Sequence, residues 1–161
     1  MVYQGKRWMT EPEKAMGIEG DRPYQVLIEF SGPKGVVYRL GGAICYDATD
    51  LTLAADLRDK TDCLIIAALN KDIPTFDAMV QALHYHMFQP VVMINSGQYG
   101  GSTAQAPYRE RYDKVIAHVH GTGQVAVSVF ELRLSDFKTA RSGKNEKALK
   151  TWPAGYVGRP H

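Results

Sequence analysis

The sequence predicts an α/β fold built on a mixed sheet, and three observations carry that prediction. Apolar runs of strand length recur at residues 41–46, 62–69 and 91–95. Helical periodicity fills the intervals between them, the pattern of parallel strands joined by crossover helices. Beyond Gly101 the runs become short and closely spaced, as antiparallel strands are.

Taken in order, residues 1–23 mix charges with Trp8, Met9, Pro12 and Gly17, show no clean period, and read as a structured loop. Residues 24–30 alternate apolar and polar. The turn Ser31-Gly32-Pro33-Lys34-Gly35 leads into 36–40, a hairpin signal, and 41–46 continue as a buried strand. Residues 49–60 place Leu51, Leu53, Ala54, Ala55 and Leu57 at helical spacing, with Asp50 as N-cap. Residues 62–69 read as a central strand. Pro74 opens a second helix reaching about Phe88, because a proline in the first turn lacks only an N–H that has no partner there. Pro90 ends that helix, and 91–95 form another buried strand. A glycine-rich loop at Gly97, Gly100 and Gly101 precedes short strands expected over 102–106, 115–120 and 124–132. From Ser135 the chain turns polar and basic, ending in Trp152-Pro153-Ala154-Gly155-Tyr156.

The totals narrow the function classes. At 161 residues the chain is long enough for one domain with a real core, and 45% hydrophobic with 22% charged residues is an ordinary globular composition. A net charge of +2 is too small to argue for nucleic acid or membrane. The longest apolar run, 63–69, is strand-sized and far short of a membrane span. Two cysteines, Cys45 and Cys63, do not make a disulfide framework, and with no hydrophobic signal region the expected location is the cytoplasm.

The residue that bears most on chemistry is Cys45, in Gly41-Gly42-Ala43-Ile44-Cys45-Tyr46-Asp47. A small-residue strand that delivers a cysteine into a polar turn before a helix fixes the sulfur's position and exposes it. The amides beyond favour thiolate and can hold a developing oxyanion. Most free cysteines are simply small buried hydrophobes, and Cys63, inside its own apolar run, is read that way.

Ile44-Cys45-Tyr46-Asp47 resembles the cysteine elbow of the nitrilase, or carbon–nitrogen hydrolase, superfamily. The resemblance extends over about residues 3–137 and corresponds to the C-terminal half or so of a family domain. It implies part of a four-layer α-β-β-α sandwich with mixed sheets, incomplete at the N-terminus, and a Glu–Lys–Cys triad acting on a non-peptide amide or nitrile through a thioester. By that resemblance Cys45 matches the nucleophile and Tyr46 the residue whose backbone N–H donates to the oxyanion. Lys6, in Tyr3-Gln4-Gly5-Lys6-Arg7-Trp8-Met9, matches the lysine that stabilises the tetrahedral intermediate, with Lys14 as the alternative. Glu13 fits a second glutamate that orients this lysine, and Glu11 fits less well. The loop from Asn95-Ser96-Gly97 to Gly100, Gly101 and Ser102 is similar to the family's glycine segment near the substrate pocket, which supports the cysteine loop.

The departures are informative too. Ala48-Thr49-Asp50-Leu51 stands where the family has Phe-Pro-Glu, and Leu83-His84-Tyr85-His86-Met87-Phe88-Gln89 replaces an Arg-Ala-x-Glu-Asn-like cluster. Only Met1 and Val2 precede Tyr3, so the general-base glutamate, which the family places well before the lysine, is expected to lie outside this chain. By itself the chain is then expected to be inactive. Two readings stay open: the catalytic-cysteine half of a hydrolase, or a non-catalytic nitrilase-like binding or regulatory module. The second includes the end of a larger fusion, such as the defence-associated reverse transcriptases in which nitrilase-like domains occur.

Remaining features are read plainly. His84 and His86 are two apart on a helix and point to different faces, whereas His118 and His120 on a strand share one. Neither pair has a further ligand at metal spacing, so no metal and no cofactor is expected. Residues 138–161 are expected to form a basic, aromatic extension to a domain spanning 1–137. By the resemblance it is expected to be a solvated arm that packs across a subunit, in preference to contacting nucleic acid. The expected partners are a small amide or nitrile, and either a second copy or the missing N-terminal segment. Half a sandwich would otherwise leave apolar edges exposed.

Overall fold

The computed structural model describes residues 3–21, 25–144 and 148–156. Its centre is a mixed six-stranded sheet whose spatial order follows the sequence: β1 (Leu27–Ser31), β2 (Val37–Ile44), β3 (Cys63–Ala68), β4 (Val91–Asn95), β5 (Ser102–Gln105) and β6 (Val115–Val119). The strands β2, β3 and β4 are parallel, and β1, β5 and β6 join antiparallel at the flanks. The expected α/β class with a mixed sheet is what the chain adopts.

The crossovers follow from local sequence. Helix α2 (Leu51–Leu57) begins where the Asp50 side chain accepts from Thr52 N at 2.8 Å, capping an otherwise orphaned amide. Helix α3 (Ile73–His86) has its proline in the first turn, and Asp72 caps it by accepting from Thr75 N. It stops two residues before the expected end. Phe88 lies at φ +51, a left-handed conformation that ends a helix.

Along α3, Phe76, Val80, Leu83 and the following Met87 form one stripe at helical spacing. That stripe and Leu53 and Leu57 of α2 pack on Ala43, Leu64, Ile66, Val91 and Met93, the alternate residues on one sheet face. Full burial of each large aliphatic group there contributes roughly 1.5–3 kcal/mol. The intervening residues face the other way. Ile44, Ile65 and Val92 are half-buried, and Ile94 is 57% exposed.

Three regions differ from the sequence reading. Within residues 1–23, α1 (Glu11–Ala15) forms a single turn-and-a-half helix that buries none of its residues. Residues 124–132 alternate like a strand but pair with none. The chain turns at Gly121 and Gly123, both at positive φ, and Gln124 N donates to Gly97 O, which carries the segment off the edge of β6. Val125, Val127 and Val129 therefore stand in solvent.

The division expected at 137/138 falls inside α5 (Leu134–Arg141), which follows the short α4 (Arg111–Lys114). Phe137, Ala140 and Leu149 are fully buried against Phe88 and Ala106. Arg141 reaches the buried Asp62 at 3.1 Å, and Lys138 donates to Val37 O. Part of the basic stretch thus packs around the N-terminal ends of the parallel strands.

Candidate active site

The opposite, C-terminal ends of β2, β3 and β4 bring the chemistry-bearing residues together. Ligand sites in parallel sheets form at this edge, because the strands stop there and their loops turn outward. Cys45 is the first residue after β2. It is half-buried and held at φ +50, a conformation that L-residues other than glycine rarely adopt and that costs about 1–3 kcal/mol. Its Sγ lies 3.9 Å from Leu69 O, at the end of β3. The 3-10 turn Cys45–Thr49 follows, so Tyr46 N–H sits in a first turn where no intrahelical acceptor exists.

The segment carrying Lys6 runs beside that turn. Gln4 Oε1 accepts from Val26 N, Gln25 Nε2 donates to Gly42 O, and Met9 is buried. Lys6 Nζ lies 2.5 and 2.6 Å from the two oxygens of Glu13, and Thr10 donates to Glu13 Oε2 through both its N–H and its hydroxyl. These bonds, led by the one from Lys6, hold the Glu13 carboxyl down at about 2, against an ordinary 4.5. Lys14, the alternative lysine, instead pairs with Glu11 on an exposed face of α1. Of the two candidates only Lys6 is half-buried together with its glutamate. Lys6 bonds Glu13 and not Cys45. The two segments are joined through Asp47, buried to 2% exposure, whose carboxylate accepts from Trp8 N at 2.7 Å and Arg7 N at 3.1 Å.

The glycine loop is tied to the same edge by Asn95, the last residue of β4. Its Oδ1 accepts from Asn70 N at 2.9 Å, and its Nδ2 donates to Asn70 O and to Gly100 O, both at 2.7 Å. Ser102 Oγ accepts from Asn95 N. Gly100 is at φ +70, and a Cβ there would sit 1.8 Å from Gly121 O, so no side chain fits. Gly100 and Ser102 line a cleft of about 720 Å³ between β4–β6 and the unpaired residues 123–130. Gly101 faces elsewhere, against Ile73 of α3. Cys45 is not among the residues lining that cleft. The candidate pocket residues therefore divide, Cys45 and Tyr46 at the end of β2 and Gly100 and Ser102 two strands away, with Asn70 and Asn95 between.

Other candidates fall outside this edge. Cys63 is buried within β3, and burial pushes its thiol up to about 12, as expected for a core cysteine. The rings of His118 and His120 lie 4.0 Å apart, yet among the described residues no group of three or more His, Cys, Asp or Glu could hold a metal ion. No helix among them is long and apolar enough to cross a membrane.

Asp47 and Asn95 tie the segments of this edge together, and the sequence reading quoted both in motifs without singling out either side chain. Asp47 stood in the quoted elbow, but nothing local marks a carboxylate whose partners lie 39 and 40 residues away.

No family model and no curated protein matches the sequence. Solved structures do match the fold. A CN-hydrolase superfamily protein from Xanthomonas campestris, with an arsenic adduct in its active site, superposes with a TM-score of 0.63 at 14% identity, over 86% of this chain and 54% of that one. A variant of the amidase from Nesterenkonia sp. AN1, bearing the acetamide moiety of fluoroacetamide on its active-site cysteine, gives 0.60 at 13% identity over 86% and 53%. Saccharomyces cerevisiae Nit3, a member of branch 10 of the nitrilase superfamily, gives 0.55 at 16% identity over 76% and 46%. The chain spans about half the length of these proteins, and over that half it has the fold of the nitrilase superfamily.

Proposed function

We propose that this chain is the cysteine-bearing part of a carbon–nitrogen hydrolase site acting on a small amide or nitrile. The observation that carries the proposal is the constrained Cys45 at the end of β2, with the Lys6 segment fastened to the same turn by Asp47. In the proposed reaction Cys45 Sγ adds to the amide carbon while its proton passes to a general base. The anion formed is held by Lys6 Nζ and Tyr46 N–H, and ammonia or an amine leaves with the proton. Water, deprotonated by the same base, then hydrolyses the thioester to the acid and frees the thiol.

In this reading the base is supplied from outside the described residues, because the two carboxylates nearest the Cys45 turn and the Lys6 segment are already engaged. Glu13 is committed to Lys6 and Thr10, and both oxygens of Asp47 accept backbone amides. The exposed apolar groups Ile94, Val125, Val127 and Val129 support a further layer of protein on this side of the sheet. The same commitment of both carboxylates favours the second reading, a nitrilase-like binding module that keeps the fold without turnover.

Substoichiometric iodoacetamide at pH 7, read by peptide mass spectrometry, tests the proposal. Selective alkylation of Cys45 over Cys63, lost in Lys6→Ala, is the expected result. Equal or negligible labelling of Cys45 leaves the binding module as the function.

A further inference from the structure

The geometry points to Asp47 as the positioning residue that sets Lys6 against Cys45, an inference that rests on the hydrolase reading of this site. Asp47 follows Cys45 by two residues, and its backbone partners Arg7 and Trp8 directly follow Lys6. Its Oδ1 accepts from Trp8 N at 2.7 Å and Arg7 N at 3.1 Å, and its Oδ2 accepts from Arg7 N at 3.1 Å. One buried anion therefore closes the nucleophile turn onto the lysine segment. Charge-assisted bonds from backbone amides are strong enough to offset burying such a group.

Helix α1, which follows the segment, buries no residue. Other contacts that hold residues 3–10 are Gln4 to Val26, Met9 in the core, Lys6 O to Asp21 N, and Trp8 Nε1 to Asp50 Oδ2 at 3.0 Å. The bond from Trp8 Nε1 also ends on the nucleophile side, at the N-cap of α2, so the indole reinforces the clamp. The left-handed backbone at Cys45 persists only where its surroundings over-determine it, and Asp47, in the same turn, supplies part of that constraint. Positioning also accounts for the carboxylate. Both carboxylate oxygens accept, whereas an asparagine here would turn an NH2 donor toward Arg7 N–H in place of Oδ2.

The test is the rate of Cys45 alkylation by iodoacetamide from pH 5 to pH 9 in the whole chain. It compares wild type, Lys6→Ala, Asp47→Ala, Asp47→Asn and the Lys6→Ala/Asp47→Ala double variant, with Cys63 labelling and a thermal melt as monitors of folding. The direction of the shift is decisive. Removing a negative charge beside a thiol lowers the midpoint of the rate profile, whereas withdrawing a lysine raises it.

Asp47→Ala is expected to raise the midpoint and slow labelling about tenfold at pH 7, matching Lys6→Ala, with no further loss in the double variant. Asp47→Asn, which keeps one oxygen for Trp8 N–H, is expected to fall between wild type and Asp47→Ala. It also serves as the measurement if Asp47→Ala does not fold. A midpoint that falls or stays fixed in the Asp47 variants while Lys6→Ala raises it overturns the positioning role alone. An unchanged midpoint in Lys6→Ala overturns the hydrolase reading, and the positioning role with it.

Discussion

Lys6 and Glu13 form a two-point ion pair, with Nζ 2.5 Å from one carboxylate oxygen and 2.6 Å from the other, across seven residues of sequence. The pair orients the ammonium group while Thr10 locks the far side of the carboxylate. Under the proposed hydrolase reading, such anchoring would remove rotamer freedom from the cation before substrate arrives.

The pair predicts a defined acid sensitivity. The folded Glu13 carboxyl titrates near 2, below its ordinary 4.5, so the unfolded chain takes up the proton first. Its contribution is complete above about pH 4.5 and is lost as pH falls toward 2. Glu13→Gln should lower stability at neutral pH by about 1 kcal/mol, or about 2–4 °C in melting temperature, and flatten this part of the pH–stability curve. A melt series from pH 2 to 7 on both proteins checks it.

His84 makes a second pH prediction in a separate window. It is buried in α3, and burial, with Lys150 and Lys114 adding to it, pushes its imidazole down to about 4 from an ordinary 6.5. Between those values the unfolded chain binds the extra proton, so stability should fall as pH drops from about 6.5 to 4, by up to about 1.4 kcal/mol per pH unit. His84→Leu, which fills the site without a titratable group, should remove that slope and leave the Glu13 window in place. Urea midpoints at half-unit pH steps distinguish the two.

Asn95 should be the costliest polar residue at the site edge to truncate. Asn95→Ala strands Asn70 N, Asn70 O and Gly100 O, and the expected loss is about 2–4 kcal/mol. Asn95→Asp keeps the acceptor for Asn70 N and faces two carbonyls without a donor, so it should not restore stability. Melting by circular dichroism measures both, and an Asn95→Asp variant as stable as wild type would refute the assignment of these bonds.

Local chemistry made much of this protein legible. Strand-length apolar runs, the Asp50 cap, the proline opening α3 and the residue pattern around Cys45 are short-range signals, and each appears where the chain pattern placed it. The match of Lys6 and Glu13 to a lysine and its orienting glutamate came from resemblance, and the fold brings those two side chains together.

Only the tertiary structure could decide the rest. Residues 124–132 have a strand's alternation, but a strand exists only where another offers a ladder, and the turns at Gly121 and Gly123 lead them away from β6. The basic stretch after Ser135 hides Phe137, Ala140 and Leu149 in a second core, because burial depends on what the fold brings near. Asp47 stands in the cysteine elbow, but the sequence there does not show what its carboxylate binds. Its partners are two backbone amides 39 and 40 residues away, a proximity that no local pattern encodes.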